Sequence, residues 1–182
     1  EYEYIRQLVY DKCRINLGPN KRELVTARLS KRLRALNFHS YRDYIRLLES
    51  GQGQEEFGQL IDAISTNHTF FFREGGHFDY LERELLPQHD TRDTLRVWSA
   101  ACSSGEEPYS VAILLHHYFK GQGKGSFQIE CSDISTKVLR MASEGIFSAE
   151  KVSKMRRDLL TAYFQKGRNK REGYYRVKDF LR

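Results

Sequence analysis

Long apolar runs are missing from this 182-residue chain, and without a stretch of membrane-spanning length direct insertion into a bilayer is not expected. Cysteine is scarce as well. Cys13, Cys102 and Cys131 are odd in number and lack CxxC spacing, which argues against a disulfide or zinc framework and for reduced thiols in a cytoplasmic protein. The first residues show no signal-peptide pattern, because Glu1 and Glu3 sit among aromatics. His68, His77, His116 and His117 have no Cys or second His at a spacing that recurs in metal sites, so no metal is expected; His116 and His117 are adjacent and point apart on a helix. There is no internal repeat and no low-complexity tract. What is abundant is positive charge, with 30 Lys and Arg against 24 Asp and Glu, a balance of +6. A 40% hydrophobic fraction is enough for a packed core in one or two small domains.

The most informative stretch is Val97-Trp-Ser-Ala-Ala-Cys-Ser-Ser-Gly-Glu-Glu-Pro-Tyr-Ser110. An apolar strand runs through small residues and Gly105 into a helix start, and the small side chains let a ligand lie close to the backbone. Pro108 suits a first helical turn, where no N–H is needed, and Glu106 and Glu107 complement the positive end of the helix. The plainer alternative is a tight βα turn whose carboxylates serve only the helix dipole, and Glu106 is read in that way.

Downstream, Leu114 and Leu115 continue the helix, glycines 121, 123 and 125 end it, and Phe127 to Cys131 forms a second strand leading into Ser132-Asp133. In a βαβ unit a carboxylate at the tip of the second strand, here 26 residues beyond Glu107, lies beside the first turn and can accept both hydroxyls of a ribose. The turn lacks the Gly-x-Gly-x-x-Gly that brings backbone close to a pyrophosphate, and carboxylates would repel one. A cationic, phosphate-free adenosine ligand such as S-adenosylmethionine fits better. Cys102 and Cys131 fall at adjacent strand ends and are read as packing residues.

The first 64 residues read as a helical unit. Tyr4, Ile5, Leu8 and Val9 form one stripe, Ile15 to Pro19 a break, and Val25, Leu29, Leu33 and Leu36 a second stripe. Tyr41, Ile45 and Leu48 follow the N-cap residue Ser40, and a Gly51-Gln-Gly53 turn precedes Phe57, Leu60, Ile61 and Ile64. On the second helix Arg28, Lys31 and Arg34 project opposite the stripe, making a basic surface about 9 Å long. Such a face is either solvated surface or a contact for an acidic protein or a nucleic-acid backbone.

Ser65 to Arg73 joins this unit to the next. Phe70, Phe71 and Phe72 are too apolar for an exposed loop, while Asn67 and Thr69 can cap a helix or touch a ligand. Beyond a further helix, Tyr163-Phe164 leads through a basic loop to Tyr174–Val177, a strand of a small antiparallel insert.

Three stretches together resemble the chemotaxis receptor methyltransferase (CheR) family: Lys21 to Leu36, Thr66-Asn-His-Thr-Phe-Phe-Phe-Arg-Glu74, and Trp98 to Ser110 followed by Ser132-Asp-Ile134. The resemblance implies an α/β protein, with a small N-terminal all-helical receptor-recognition domain over 1–64. A Rossmann-like S-adenosylmethionine-dependent methyltransferase domain follows over 65–182, with the small β insert starting near 163. It implies methyl transfer to glutamate carboxylates of chemoreceptors, giving methyl esters and S-adenosylhomocysteine. Asn67, Thr69, Arg73, Glu107 and Asp133 would hold the cofactor, with Arg73 also catalytic. Arg28, Lys31 and Arg34 would meet the receptor's cytoplasmic helical bundle. Some members bind a receptor-tail peptide through a loop with three glycines; here Gly167 and Gly173 match and Asn169 stands in the middle, which puts that role in doubt. A monomer is expected, and about a hundred further residues are expected to complete the α/β domain, without which these 182 should be inactive. The rival readings are a noncatalytic adaptor of the same fold and an RNA methyltransferase, whose stacking platform Phe70 to Phe72 are misplaced to form.

Overall fold

The computed structural model describes residues 1–51 and 53–182, so the turn read at Gly51-Gln-Gly53 lies partly outside the described residues. The chain folds as two compact units, Glu1–Thr66 and Asn67–Arg182.

The first unit has four helices, α1 (Tyr2–Cys13), α2 (Arg22–Ala35), α3 (Tyr41–Glu49) and α4 (Gly53–Ile64). Their apolar stripes meet in one core of Ile5, Val9, Leu17, Val25, Leu29, Leu33, Tyr44, Leu48, Leu60, Ile61 and Ile64. Ser40 caps α3, its Oγ accepting the Asp43 amide at 3.1 Å. Two stripe assignments need correction. Tyr4 is exposed, donating its hydroxyl to Glu49. On α3, Tyr41 packs half-buried against the core as its stripe implies, but the fully buried aromatic is Tyr44, which the stripe omits. The burial of Tyr44 has a chemical reason absent from the periodicity. Its hydroxyl donates to Glu56 Oε1 at 2.8 Å, and Glu56, itself buried, also accepts Arg32 Nε at 2.7 Å and Arg32 Nη2 at 2.5 Å. A carboxylate, a guanidinium and a phenol thus close a polar cluster inside the helical core. Gly53, at the start of α4, has no room for a side chain, since a Cβ there would stand 2.2 Å from the Leu48 carbonyl oxygen.

Early in the second unit comes a helical stretch, α5 (Gly75–Tyr80) and a wider turn over Leu81–Leu85. Strand β1 (Thr94–Ala100), helix α6 (Glu106–Gln122) and β2 (Ser126–Ser132) then form a parallel pair in which Val97 faces Ile129 and Ser99 faces Cys131. This is a βαβ unit. Leu115 and Phe119 of α6 pack with Leu86 beneath Leu95, Val97, Phe127 and Ile129, as alternation along the strands requires. Residues of opposite parity face outward, and Trp98 is 72% exposed, its indole N–H donating to Ser132 Oγ at 3.0 Å. Gly123, left-handed at φ 68°, ends α6.

After α7 (Thr136–Glu144) come β3 (Ile146–Ser148), α8 (Ala149–Val152), α9 (Arg157–Tyr163), β4 (Phe164–Lys166) and β5 (Tyr174–Val177). The three strands form an antiparallel sheet in the order β3-β5-β4. Its aromatic core contains Phe147, Tyr163 and Phe164 and receives Phe71 edge-on, 4.8 Å from Phe147 and 5.5 Å from Phe164. Phe71 therefore staples its segment, as the apolar run implied. Phe70 departs from that expectation, at 45% exposure.

Candidate functional site

Past Ala100 the backbone turns through three left-handed residues at alternate positions, Ala101 (φ 60°), Ser103 (φ 50°) and Gly105 (φ 98°). Two of these are not glycine, so the turn carries strain of order 1–3 kcal/mol per residue that surrounding contacts must hold. At Gly105 a side chain would also meet α7, with Ala142 Cα 3.0 Å from a Cβ placed there. Asp133 supplies one of those contacts. Its Oδ2 accepts the Ser103 amide at 2.8 Å and its Oδ1 the Ser135 amide at 2.9 Å, so the carboxylate at the tip of β2 reaches the β1 turn. The Cys102 amide extends the ladder to the Ser132 carbonyl at 3.0 Å. A carboxylate has about four lone-pair positions, so Asp133 keeps capacity for a ligand.

The two adjacent glutamates divide. Glu107 is exposed, its Oε1 accepting Ser99 Oγ at 2.7 Å. Glu106 is 0% exposed and accepts Ser104 Oγ at 2.6 Å and the ammonium of Lys151. Reading Glu106 as a mere complement to the helix dipole is corrected by this geometry, for it is the anion of a buried ion pair. Among the described residues, the buried polar side chains of this unit are Ser99, Ser103, Ser104, Glu106, Ser110 and Ser135, and all six lie at or beside this turn. Buried polar groups are costly unless partnered, so their concentration marks a built site.

The segment 67–74 borders the same turn. Ser103 Oγ donates to the Asn67 carbonyl at 3.5 Å, and the Phe72 amide donates to Ser110 Oγ at 2.9 Å. Phe72 and Glu74 are left-handed at φ 56°, unusual for residues with bulk. Among the described residues neither Asn67 nor Thr69 uses its side chain to cap a helix; Asn67 is exposed and Thr69 half-buried. Arg73 is half-exposed, held by the His68 carbonyl at 3.0 Å, by Glu74 at 3.6 Å and by the Phe70 ring at 5.9 Å. Asn67, Ser103, Glu107 and Asp133 are thus gathered at one strand end, whereas the contacts of Arg73 all lie within its own segment.

Helix α2 treats its three basic residues differently. Lys31 and Arg34 are exposed, Arg34 Nε donating to the Ser30 carbonyl at 3.2 Å. Arg28 does not project with them. At about 100° per residue it stands on the flank of the stripe beside Leu29, and its Nη1 donates to the carbonyls of Ile64 at 2.8 Å and Ser65 at 2.9 Å. A guanidinium there satisfies the orphan carbonyls at the end of α4 and opposes its dipole. Arg28→Ala should therefore lower the stability of the helical unit by about 1.5–3 kcal/mol, the worth of hydrogen bonds to a charged group. Lys31→Glu with Arg34→Glu should stay within about 0.5 kcal/mol, as exposed substitutions do. Urea unfolding followed by far-ultraviolet dichroism checks the contrast, and equal losses would contradict it.

Cys102 is buried and its thiol is pushed up to about 12, chiefly by burial. Cys131 is exposed, so of the two at these strand ends Cys102 alone is a packing residue. Burial lowers His116, which meets the Tyr163 hydroxyl at 3.1 Å. No group of three His, Cys, Asp or Glu side chains placed to hold a metal occurs among the described residues, and no helix among them is long and apolar enough to cross a membrane. In the basic loop of the insert, Asn169 takes the left-handed angle (φ 54°) that Asn tolerates, Gly173 is left-handed at φ 83°, and a Cβ on Gly167 would lie 2.0 Å from the Arg171 carbonyl.

A parallel βαβ unit with a strained turn of small residues, acids at the helix start and an acid at the second strand's tip defines a nucleoside-binding α/β domain. Comparison with known proteins narrows this. Residues 67–182 match the SAM (S-adenosylmethionine) binding domain of CheR methyltransferase and residues 1–65 its all-alpha domain, and the chain belongs to that family. It is 40% identical over 182 residues to the chemotaxis protein methyltransferase of Escherichia coli K12, covering 99% of this chain and 62% of the relative. It is 39% identical over 180 residues to that of Salmonella typhimurium (99% and 61%), and 35% identical over 190 residues to that of Borreliella burgdorferi (100% and 66%). The chain thus spans 61 to 66% of the length of these curated relatives.

Proposed function

We propose that the whole protein transfers the methyl group of S-adenosylmethionine to glutamate carboxylates of chemoreceptors. The observation that carries this reading is the turn at the end of β1, where strained backbone, six buried polar side chains and the Asp133 carboxylate converge beside Glu107. Residues of this kind suit the cofactor. Glu107 is an exposed anion for a cationic amino-acid end, Asp133 retains lone pairs for ribose hydroxyls, and the Ala100–Gly105 turn has little bulk to obstruct an adenosine. Asn67 and Thr69 offer short polar side chains from the bordering segment, and Arg73 a planar donor at its margin.

The bound cofactor supplies an electrophilic sulfonium methyl. A glutamate is ionised near neutral pH and needs no general base, so the protein's part is positional. Holding carboxylate oxygen, methyl carbon and sulfur in line removes translational and rotational freedom, a contribution that can reach about 7–11 kcal/mol. Arg73 anchors the carboxylate without quenching it, because binding that merely stabilises the ground state does not raise the rate. The exposed Lys31 and Arg34 of α2 face an acidic receptor surface, while Arg28 holds the end of α4. The relatives named as chemotaxis methyltransferases support this choice over RNA as substrate.

Asp133→Asn tests the cofactor assignment. In the full-length protein it should weaken S-adenosylhomocysteine binding by about 1.5–3 kcal/mol, read by calorimetric titration. Unchanged affinity would remove Asp133 from the site.

A further inference from the structure

Glu106 is a fully buried acid that the proposed chemistry leaves idle, and its cation comes from 45 residues away. Lys151 sits on α8, directly after strand β3, and its ammonium reaches back to Glu106 and to Ser104 Oγ at 3.0 Å, with the Phe147 ring 6.0 Å beneath it. Ser104 closes the cluster by donating to Glu106 Oε2. Both partners of Lys151 belong to the turn, Ser104 between two left-handed residues and Glu106 at the first position of α6. From Glu106 the connections continue. Its carbonyl accepts Ser110 Oγ at 2.6 Å, and that hydroxyl accepts the amide of left-handed Phe72, the residue before Arg73.

We propose that Lys151 is a positioning residue that fastens the cofactor turn to the small antiparallel sheet, acting through Glu106 and Ser104 rather than on the cofactor itself. The inference rests on the turn being the cofactor site. Its physical basis is the asymmetry of a buried pair, in which removal of one member leaves the other charged and desolvated. Glu106 has no water to turn to and would keep only the Ser104 hydroxyl, so loss of the ammonium leaves the carboxylate either to take up a proton or to shift with the turn that carries it, and both disturb the contacts that Lys151 makes there. From the β2 side the turn is held through the Ser103 and Cys102 amides, whereas Lys151 holds it at Ser104 and Glu106 from the element that follows β3. Lys151 is itself only partly buried, its side chain 37% exposed, so a neutral residue of similar length can occupy its place.

The test uses the full-length protein and S-adenosylhomocysteine, with calorimetric affinity and a melting curve recorded for each variant. Wild type should bind, and Lys151→Met, still folded, should bind roughly tenfold or more weakly, the equivalent of about 1.4 kcal/mol. Lys151→Arg should stay within about threefold of wild type, because the guanidinium keeps both charge and hydrogen bonds. The deciding variant is Lys151→Met with Glu106→Gln, which removes the stranded charge and should regain most of the affinity. A double variant that folds and binds as weakly as Lys151→Met would overturn the proposal and make Lys151 a direct ligand. A folded Lys151→Met that binds like wild type would overturn it too. If Lys151→Met does not fold, the double variant decides by the same criterion. Failure of wild type to bind would refute the cofactor reading of the turn instead, a result distinct from failure of the inference.

Discussion

Arg73→Ala in the full-length enzyme should cut receptor methylation by about hundredfold or more while S-adenosylhomocysteine affinity moves by less than about threefold. The expected loss corresponds to about 2.7 kcal/mol, within the range for hydrogen bonds to charged groups. Arg73 is free to pivot toward an incoming anion: its side chain is 49% exposed, and its partners are a backbone carbonyl, an exposed Glu74 and the face of Phe70. None is a strong competitor, since exposed ion pairs contribute little. Steady-state kinetics with receptor as the varied substrate, set beside calorimetry, separates the two roles. Equal free-energy losses in turnover and cofactor affinity would make Arg73 a cofactor ligand.

Glu56→Ala should destabilise the helical unit by about 3 kcal/mol or more, the scale of breaking a buried ion pair. It strands Arg32 and leaves the Tyr44 hydroxyl buried without an acceptor. Glu56→Ala with Arg32→Met and Tyr44→Phe should recover much of the loss, because replacing all partners by apolar groups avoids the desolvation penalty. Denaturant unfolding of the two variants checks this, and no recovery would mean that packing alone sets the cost. The cluster also predicts a pH response. Burial, then the hydrogen bond to Glu56, raise Tyr44 above its ordinary value of 10.0, so the folded unit keeps that proton while the unfolded chain releases it. The resulting stability is complete below pH 10 and declines as pH rises beyond it. Tyr44→Phe should flatten the alkaline limb.

The parts that the sequence made legible are those set by local repetition. The stripes of α2 and α4 follow the helical period, and β1, α6 and β2 announce themselves by an apolar strand, a small-residue turn and glycines at the helix end. What stayed hidden depends on partners far along the chain. Glu106 and Glu107 are the same residue twice, and the cation that accompanies the interior one comes from Lys151, 45 residues on. Arg28 looks like its neighbours Lys31 and Arg34 until the carbonyls of Ile64 and Ser65 claim it. Tyr44 falls outside an apolar reading of α3 because its burial depends on a carboxylate 12 residues away. Strand β3 and helix α8, of three and four residues, are too short to show a period. Asp133 was legible for the opposite reason, since its place at the tip of the second strand is a rule of βαβ geometry.

Trp98 is the only tryptophan in the chain, and its indole stands 72% exposed on β1 with its N–H on Ser132 Oγ, the residue before Asp133. Within these 182 residues that makes it a single-point optical reporter. Intrinsic emission of these residues collected at tryptophan wavelengths comes from one place, the outward face of the strand that leads into the Ala101–Gly105 turn. Its colour and its access to a soluble quencher record how wet that face is, so any layer laid over the strand, whether polypeptide or ligand, can be followed without attaching a label.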